Sequence, residues 1–260
     1  MVTVVLLTIF RRQPSLFVFT MVAGTACWLV GNLGWLAGAA IFRVVFWWVA
    51  FVVLTIAGER LELNRLLRPT TMSRALFVLG GAVLILGAAL LPAAPAAGAR
   101  TLGTGLIAIS GWLARNDVAR RTIRQHDLTR YIAACLLAGY AWLAVAGFLL
   151  LTTAATSPGT LYDAILHSIF VGFVVSMIFG HAPIVFPAVL GVPLRYRSIF
   201  YAHLVVLHVA TAMRVVGDLN QELGRLRAWG ALGNAAAIAL FVVTTVGSLT
   251  SSNFVSRGSA

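Results

Sequence analysis

Residues 161–190 read LYDAILHSIFVGFVVSMIFGHAPIVFPAVL and contain one charged side chain, the carboxylate of Asp163. A run this long and apolar can cross the hydrocarbon core of a bilayer as a helix, which needs about 20 apolar residues. Pro183 and Pro187 lie in its last third, where each proline removes a backbone hydrogen bond and favours a kink. We therefore predict a membrane-spanning helix over this stretch, broken near Gly180.

The rest of the chain has the same apolar character. Of its 260 residues, 60% are hydrophobic and 10% are charged, a composition far more apolar than that of an average soluble domain. Apolar runs separated by Arg-rich or Pro/Gly-rich segments predict eight membrane spans. These run approximately over Pro14 to Gly34, Leu36 to Gly58, Ala75 to Leu91, Gly98 to Ala114, Tyr131 to Leu151, Leu161 to Leu190, Ser198 to Val216 and Trp229 to Thr250.

This pattern predicts an all-α fold, a polytopic integral membrane bundle of about eight transmembrane helices. A single membrane domain then accounts for residues 1–260, and no sizeable soluble domain remains. Residues 1–13 form a short apolar segment that ends in Arg11 and Arg12. Its ten apolar residues are too few for a span. They are either an interfacial segment or the remaining half of a span that begins upstream.

The charge of the chain is strongly positive and consists entirely of arginine. There are 19 basic residues, none of them lysine, against seven acidic ones, giving a net charge of +12. In a soluble protein this balance indicates nucleic-acid binding. Here the arginines occupy short loops between apolar runs, so they follow the positive-inside rule. The predicted surroundings are the lipid bilayer, with no nucleic-acid partner.

The distribution of arginines also predicts the orientation. The amino end, the loops after spans two, four and six, and the carboxy-terminal tail together hold 14 arginines, whereas the opposite loops hold three. Because arginine-rich loops stay on the cytoplasmic side, we predict a multi-pass protein of the cytoplasmic membrane with both termini in the cytoplasm.

Several chemistries are excluded or weakened by what the sequence lacks. Its two cysteines, Cys27 and Cys135, both lie in apolar runs, which excludes a disulfide framework and a thiolate metal site. No phosphate-binding glycine loop, serine nucleophile elbow or His-Glu-x-x-His zinc helix is present. Carboxylates are nearly absent from mid-membrane positions, which weakens the case for an ion-coupled transporter.

The histidines carry the strongest functional signal. Four of the five fall in the helix pair 161–216, namely His167, His181, His203 and His208. Ionisable side chains are costly inside a bilayer and are functional by default, and imidazole commonly ligates metals and haem iron. We therefore take all four as candidate ligands for haem or a metal. The alternative is that each imidazole hydrogen-bonds a neighbouring helix.

The spacing of the histidines predicts their pairing. His167 and His181 are 14 residues apart, which in an α-helix places them on almost the same face, separated by about 21 Å. Comparison of depths along the antiparallel spans six and seven then pairs His167 with His208 and His181 with His203.

Three charged residues lie near these histidines or toward the same side of the membrane. Asp163 precedes His167 by four residues, where its carboxylate can orient the imidazole, or it can lie in water at the interface. Arg43 and Arg214 fall within the outer parts of spans two and seven, where a guanidinium can hold a haem propionate. The alternative for Arg214 is an ion pair with Asp218, one helical turn later.

The stretch from His167 to His181 resembles the carboxy-terminal part of the NnrS family. The likeness consists of a membrane histidine followed by Gly172 and Met177, and then of a Gly-His pair that ends at His181. NnrS proteins are polytopic membrane proteins associated with haem, copper and nitric oxide metabolism. The resemblance covers about a third of the chain and implies a haem or copper role for His167 and His181. In this chain the Gly-His pair is followed by Ala-Pro instead of the family's Thr-Gly-Arg.

Taken together, these patterns predict a membrane protein that binds haem, with copper as a further metal. The resemblance implies a role in nitric oxide handling or membrane electron transfer, with a small gas ligand or a membrane redox partner. Whether the protein turns over a substrate is left open. The alternatives are a cofactor-free transporter or channel, and a non-catalytic membrane subunit of a larger complex.

Overall fold

The computed structural model of the chain describes Thr8, Arg11 and residues 15–63 and 69–256. Most of the predicted amino-terminal segment 1–13 lies outside the described residues, as does part of the arginine-rich loop after the second span. Within the described part, every regular element is a helix. The predicted all-α class is therefore confirmed.

Nine helices, which we number in chain order, follow one another in the described part of the chain. They are α1 Leu16–Leu36, α2 Ile41–Leu63, α3 Thr71–Leu90, α4 Pro95–Asn116, the short α5 Ala119–Thr122, α6 Asp127–Thr153, α7 Thr160–Leu190, α8 Phe200–Leu219 and α9 Gly224–Ser256. A single 3₁₀ turn, Gln221–Leu223, joins α8 to α9.

Seven of these helices, α1, α2, α3, α6, α7, α8 and α9, are long and apolar enough to cross a membrane. The chain is therefore a multi-pass helical membrane protein. The predicted fourth span corresponds to α4, which has 22 residues but a less apolar sequence that includes Arg100 and several Gly, Ser and Thr residues. Its apolar side chains are buried nonetheless, since Leu102, Leu106 and Ile109 are all 0% exposed. Small residues let neighbouring helices approach closely in a membrane.

Local sequence explains where several helices begin and end. The hydroxyl of Thr70 accepts a hydrogen bond from the Ser73 amide and caps α3. Pro95 begins α4, where its missing amide proton costs nothing. Gly191 ends α7 with φ of +66°, in the left-handed region that favours glycine.

The prediction that the sixth span breaks near Gly180 is wrong. The part of α7 from Ser176 to Leu190 is a continuous α-helix that contains both prolines. Pro183 has no amide proton for the carbonyl of Phe179, one turn earlier. The hydroxyl of Tyr131, on α6, lies 3.4 Å from that carbonyl oxygen and donates to it instead. A neighbouring helix therefore satisfies the carbonyl that Pro183 leaves without an amide donor.

The departure from α geometry in α7 occurs earlier, over His167–Val175, which form a π-helix. Its hydrogen bonds join residues five apart, so the turns are wider than those of an α-helix. The predicted spacing of His167 and His181 assumed α geometry throughout, and eight of the intervening positions do not have it. The expectation of a shared face about 21 Å apart therefore rests on a geometry that this stretch has only from Ser176 onward.

The described chain divides into two compact units, each with its own core. The first comprises residues 1–118 and 144–162, and the second comprises residues 119–143 and 163–260. In the first unit, α1 packs against α2 and α3 packs against α4. In the second, α8 packs against α9 and against the π-helical part of α7.

Glycines allow the closest helix contacts of the first unit. A Cβ atom added to Gly103 on α4 would lie 2.5 Å from the carbonyl oxygen of Gly147 on α6. The reciprocal substitution meets the same obstacle, since a Cβ at Gly147 would lie 2.7 Å from the Gly103 oxygen. The obstacle is backbone in both directions, so it cannot move aside as a flexible side chain would.

We predict that Gly103→Ala lowers the free energy of unfolding by about 1–3 kcal/mol, because the added methyl group forces two helix backbones apart. Gly111→Ala, in the same helix, is the matched control, since nothing lies within 4 Å of its added Cβ. Thermal unfolding of both variants in the same detergent checks this. Equal melting temperatures for the two variants would contradict it.

Candidate functional site in the histidine-bearing helices

His203 lies on α8 in the core of the second unit and is 1% exposed. Its Nε2 lies 2.8 Å from the Tyr131 hydroxyl, and its Nδ1 lies 3.2 Å from the Thr244 hydroxyl. The ring also packs against Phe179, with centroids 4.8 Å apart at a nearly perpendicular angle. Both ring nitrogens thus have protein partners, which matches the alternative that a membrane histidine hydrogen-bonds its neighbours.

His208, one and a half turns later on α8, is also held by protein groups. Its Nδ1 accepts a hydrogen bond of 3.0 Å from the indole N–H of Trp142. An indole nitrogen only donates, so Nδ1 must carry the lone pair and the neutral ring must carry its proton on Nε2. That Nε2 lies 3.4 Å from the Ser176 hydroxyl oxygen. Coordination of a metal by His208 would require this arrangement to be broken.

Gly172 explains how Trp142 reaches His208. A Cβ atom added to Gly172 would collide with the indole ring of Trp142, so the ring lies directly over the backbone of the π-helix. Glycine at this position therefore lets the indole approach closely enough to donate to His208. The NnrS-like motif includes this glycine, and here it serves helix packing.

His167 and His181 on α7 have a different pattern. Nδ1 of His167 lies 2.7 Å from the carbonyl oxygen of Asp163, and Nδ1 of His181 lies 2.6 Å from the carbonyl oxygen of Met177. A carbonyl only accepts, so both rings donate through Nδ1 and place the lone pair on Nε2. Histidines that bind metals commonly have this arrangement, in which the second nitrogen is fixed by a backbone carbonyl.

The predicted histidine pairs are not the contacts that the ring nitrogens make. His208 contacts Trp142 and Ser176, and His203 contacts Tyr131 and Thr244. Among the described residues, no group of three or more His, Cys, Asp or Glu side chains is arranged to hold a metal ion. The candidate ligands therefore separate into His167 and His181, oriented by backbone carbonyls, and His203 and His208, which bridge helices.

A network of four charges lies where α7 begins, α8 ends and α9 begins. Asp218 is central, with its carboxylate 3.2 Å from Nε of Arg214 and 2.9 Å from Nε of Arg227. Asp163 lies 3.1 Å from Arg227 and 3.9 Å from Arg214. Two guanidinium groups thus face two carboxylates, and the network is neutral. It joins three helices of the second unit.

Two of the predicted site residues, Arg214 and Asp163, are members of this network. The alternative reading of Arg214, an ion pair with Asp218, is what the structure contains. The carboxylate of Asp163 pairs with Arg227, while its main-chain carbonyl accepts the proton of His167. Asp163 therefore does orient His167, but through its backbone.

Arg43 lies in the first turn of α2 in the first unit and is exposed. Its guanidinium lies 5.7 Å from the centre of the Phe42 ring. It also lines a pocket whose other polar residues are Thr156 and Ser157. Arg43 therefore lies beside a pocket, and the prediction that it holds a haem propionate stays a prediction.

Several partners in these sites were not identified from the sequence. Tyr131 and Trp142 belong to no sequence motif that would predict their contacts. They lie on α6 and hydrogen-bond histidines more than 60 residues away in the sequence. In the first unit, Arg60 and Asp117 form a buried pair at 3.5 Å, although Arg60 reads as part of a polar helix end. Of the acidic residues, Asp117 and Asp218 are the ones that lie buried in ion pairs, whereas Glu59, Glu62, Asp127 and Glu222 are exposed.

The seven long apolar helices define the chain as a polytopic α-helical membrane protein in contact with lipid. Residues 1–250 match the family described as Domain of unknown function (DUF8744). The chain belongs to this family. No curated protein and no solved structure matches it.

We predict that Asp218→Asn lowers the free energy of unfolding by about 3–5 kcal/mol, because it leaves two guanidinium groups with one carboxylate. The matched control is Asp163→Asn in the same network. Its side chain is 36% exposed, against 0% for Asp218, so we expect it to cost less than about 1 kcal/mol. Denaturant unfolding in mixed micelles measures both. A larger cost for Asp163→Asn would contradict the central place of Asp218.

Proposed function

We propose that the chain is a haem-binding protein of the cytoplasmic membrane, with Nε2 of His167 as the ligating atom. The observation that supports this is the 2.7 Å contact between Nδ1 of His167 and the Asp163 carbonyl oxygen. It assigns the proton to Nδ1 and the lone pair to Nε2, the form in which imidazole ligates iron. Among the described residues, no hydrogen bond is made by that Nε2.

The surroundings of His167 also suit a haem. The imidazole is half-buried on an apolar π-helix, with the buried side chains of Ile169 and Phe173 close in sequence. An apolar environment excludes water and tunes the potential of a bound iron. His181 has the same carbonyl contact and is the second candidate ligand. Copper is the other metal that these imidazoles suit.

The role follows from the resemblance of residues 167–181 to the NnrS family. It implies nitric oxide handling or membrane electron transfer. When bound, haem would supply a site for a small gas or a centre that accepts an electron from a membrane redox partner. The proposed orientation, with both termini in the cytoplasm, takes α4 as an eighth crossing beside the seven more apolar helices. The excess of arginines in the loops after spans two, four and six supports it.

The alternative hypothesis of a cofactor-free transporter has less support than the haem hypothesis. In a transporter, a broken sixth span and the two arginines within spans would line a path for anions. The helix is continuous through Gly180, and Arg214 is paired with Asp218 and Asp163. A non-catalytic subunit stays an alternative that copurification of another chain would favour.

We predict that the purified protein gives a Soret band and redox-sensitive visible bands, and that His167→Ala lowers the haem bound per chain by at least half. His126→Ala is the matched control, since that histidine lies exposed in a polar loop. Absorption spectra of the oxidised and reduced proteins in detergent, with metal analysis of the same samples, measure both. Helix content by circular dichroism shows whether each variant is folded.

Two outcomes would contradict this proposal. A colourless, metal-free protein from a haem-replete host would remove the haem function. Unchanged haem content in folded His167→Ala, with loss in His181→Ala, would transfer the ligand role to His181. His208→Ala is expected to keep its haem, because Nδ1 of His208 is already occupied by the Trp142 N–H.

A further inference from the structure

A pocket of about 260 Å³ lies in the first unit, next to the points where α2 and α4 begin. Its polar lining consists of Arg43, Thr156 and Ser157, and the rest is apolar, including Phe46 and Pro92. None of the lining residues carries a negative charge. The pocket therefore combines one cation and two hydroxyl groups with an apolar wall.

The guanidinium of Arg43 lacks a counter-charge. Among the described residues it has no ion pair, and its recorded contact is with the ring of Phe42. In the second unit, Arg214 faces two carboxylates. Of Arg43 and Arg214, the two arginines that the sequence places within spans, only Arg43 thus has no carboxylate partner among the described residues.

The local electrostatics strengthen this need. A helix amino terminus carries a partial positive charge, which disfavours a cation in the first turn. Arg43 occupies the first turn of α2, which contains no acidic residue. The pocket also borders the start of α4, whose residue before Pro95 makes no side-chain cap. An anion in the pocket would face positive potential from all these groups.

We propose that this pocket binds a phosphoryl oxyanion. A guanidinium binds phosphate oxygens with two parallel hydrogen bonds, and the hydroxyls of Thr156 and Ser157 can donate to further oxygens. The 23 residues of α2 span about 35 Å, against about 30 Å of hydrocarbon, so the first turn lies at the depth of lipid head groups. The phosphate of a lipid head group and soluble phosphate esters share this chemistry.

The test uses the whole chain in detergent and three added probes. These are dioctanoyl phosphatidylglycerol, glycerol 3-phosphate and dioctanoylglycerol, which lacks the phosphate. A bound ligand raises the melting temperature in proportion to its occupancy, so titration gives an apparent Kd. We expect stabilisation by phosphatidylglycerol and none by dioctanoylglycerol. Stabilisation by glycerol 3-phosphate as well identifies a soluble phosphate ester as a ligand, and its absence identifies a lipid.

Substitutions test the residues of the pocket. Arg43→Gln is expected to weaken binding about ten- to hundredfold, the usual effect of losing hydrogen bonds to a charged group. Arg43→Lys should retain part of the affinity, because the ammonium keeps the charge but loses the planar fork. Arg100→Gln removes an exposed arginine from α4 that does not line the pocket, and its Kd should equal that of the wild type.

The proposal is overturned by any of three results. These are no stabilisation by either phosphate-bearing probe, equal stabilisation by dioctanoylglycerol, and equal loss of affinity in Arg43→Gln and Arg100→Gln. The last would mean that overall charge, and not this pocket, attracts the anion. Because haem content is not measured here, the result is independent of the haem proposal.

Discussion

A bilayer supplies no water to a polar group, so each polar group inside it needs a partner from the protein. This constraint organises the second unit. The buried carboxylate of Asp218 lies between two guanidinium groups, and the buried ring of His203 lies between two hydroxyls. Three of these four contacts join different helices, and the fourth, between Arg214 and Asp218, lies within α8. The polar groups therefore fix which helices meet, where apolar contacts alone would leave the choice open, since lipid is as apolar as leucine.

The same constraint divides the four membrane histidines into two pairs that differ in the partners of their ring nitrogens. On α8, an indole and several hydroxyls engage the ring nitrogens, so these imidazoles hold helices together. On α7, the backbone carbonyl one turn earlier engages Nδ1 of His167 and of His181. A carbonyl contact within one helix adds nothing to the packing of neighbouring helices. Its effect is to fix which ring nitrogen carries the proton and which carries the lone pair.

Length and apolarity were sufficient to predict seven of the eight spans, because a span requires about 20 apolar residues whatever its partners are. Every predicted span coincides with a helix, within a few residues at most ends. The path of α7 could not be predicted in this way. The Phe179 carbonyl, which Pro183 leaves without an amide donor, is satisfied by the Tyr131 hydroxyl, and that residue is 48 positions away in sequence. The π-helix at His167 likewise has no signature in the apolar pattern.

The charged residues of the candidate sites also divide into those whose contacts the sequence predicts and those whose contacts depend on tertiary packing. The contact of Arg214 with Asp218 is predictable, because residues four apart meet on any α-helix. Asp163 and Arg227 join that pair from other helices, and their place depends on tertiary packing. For Arg43 the sequence predicts a guanidinium in the outer part of a span, where it can hold a haem propionate. The structure supplies hydroxyls and no carboxylate around it. An arginine that the fold leaves uncompensated at head-group depth is most simply understood as one whose counter-charge comes from outside the chain.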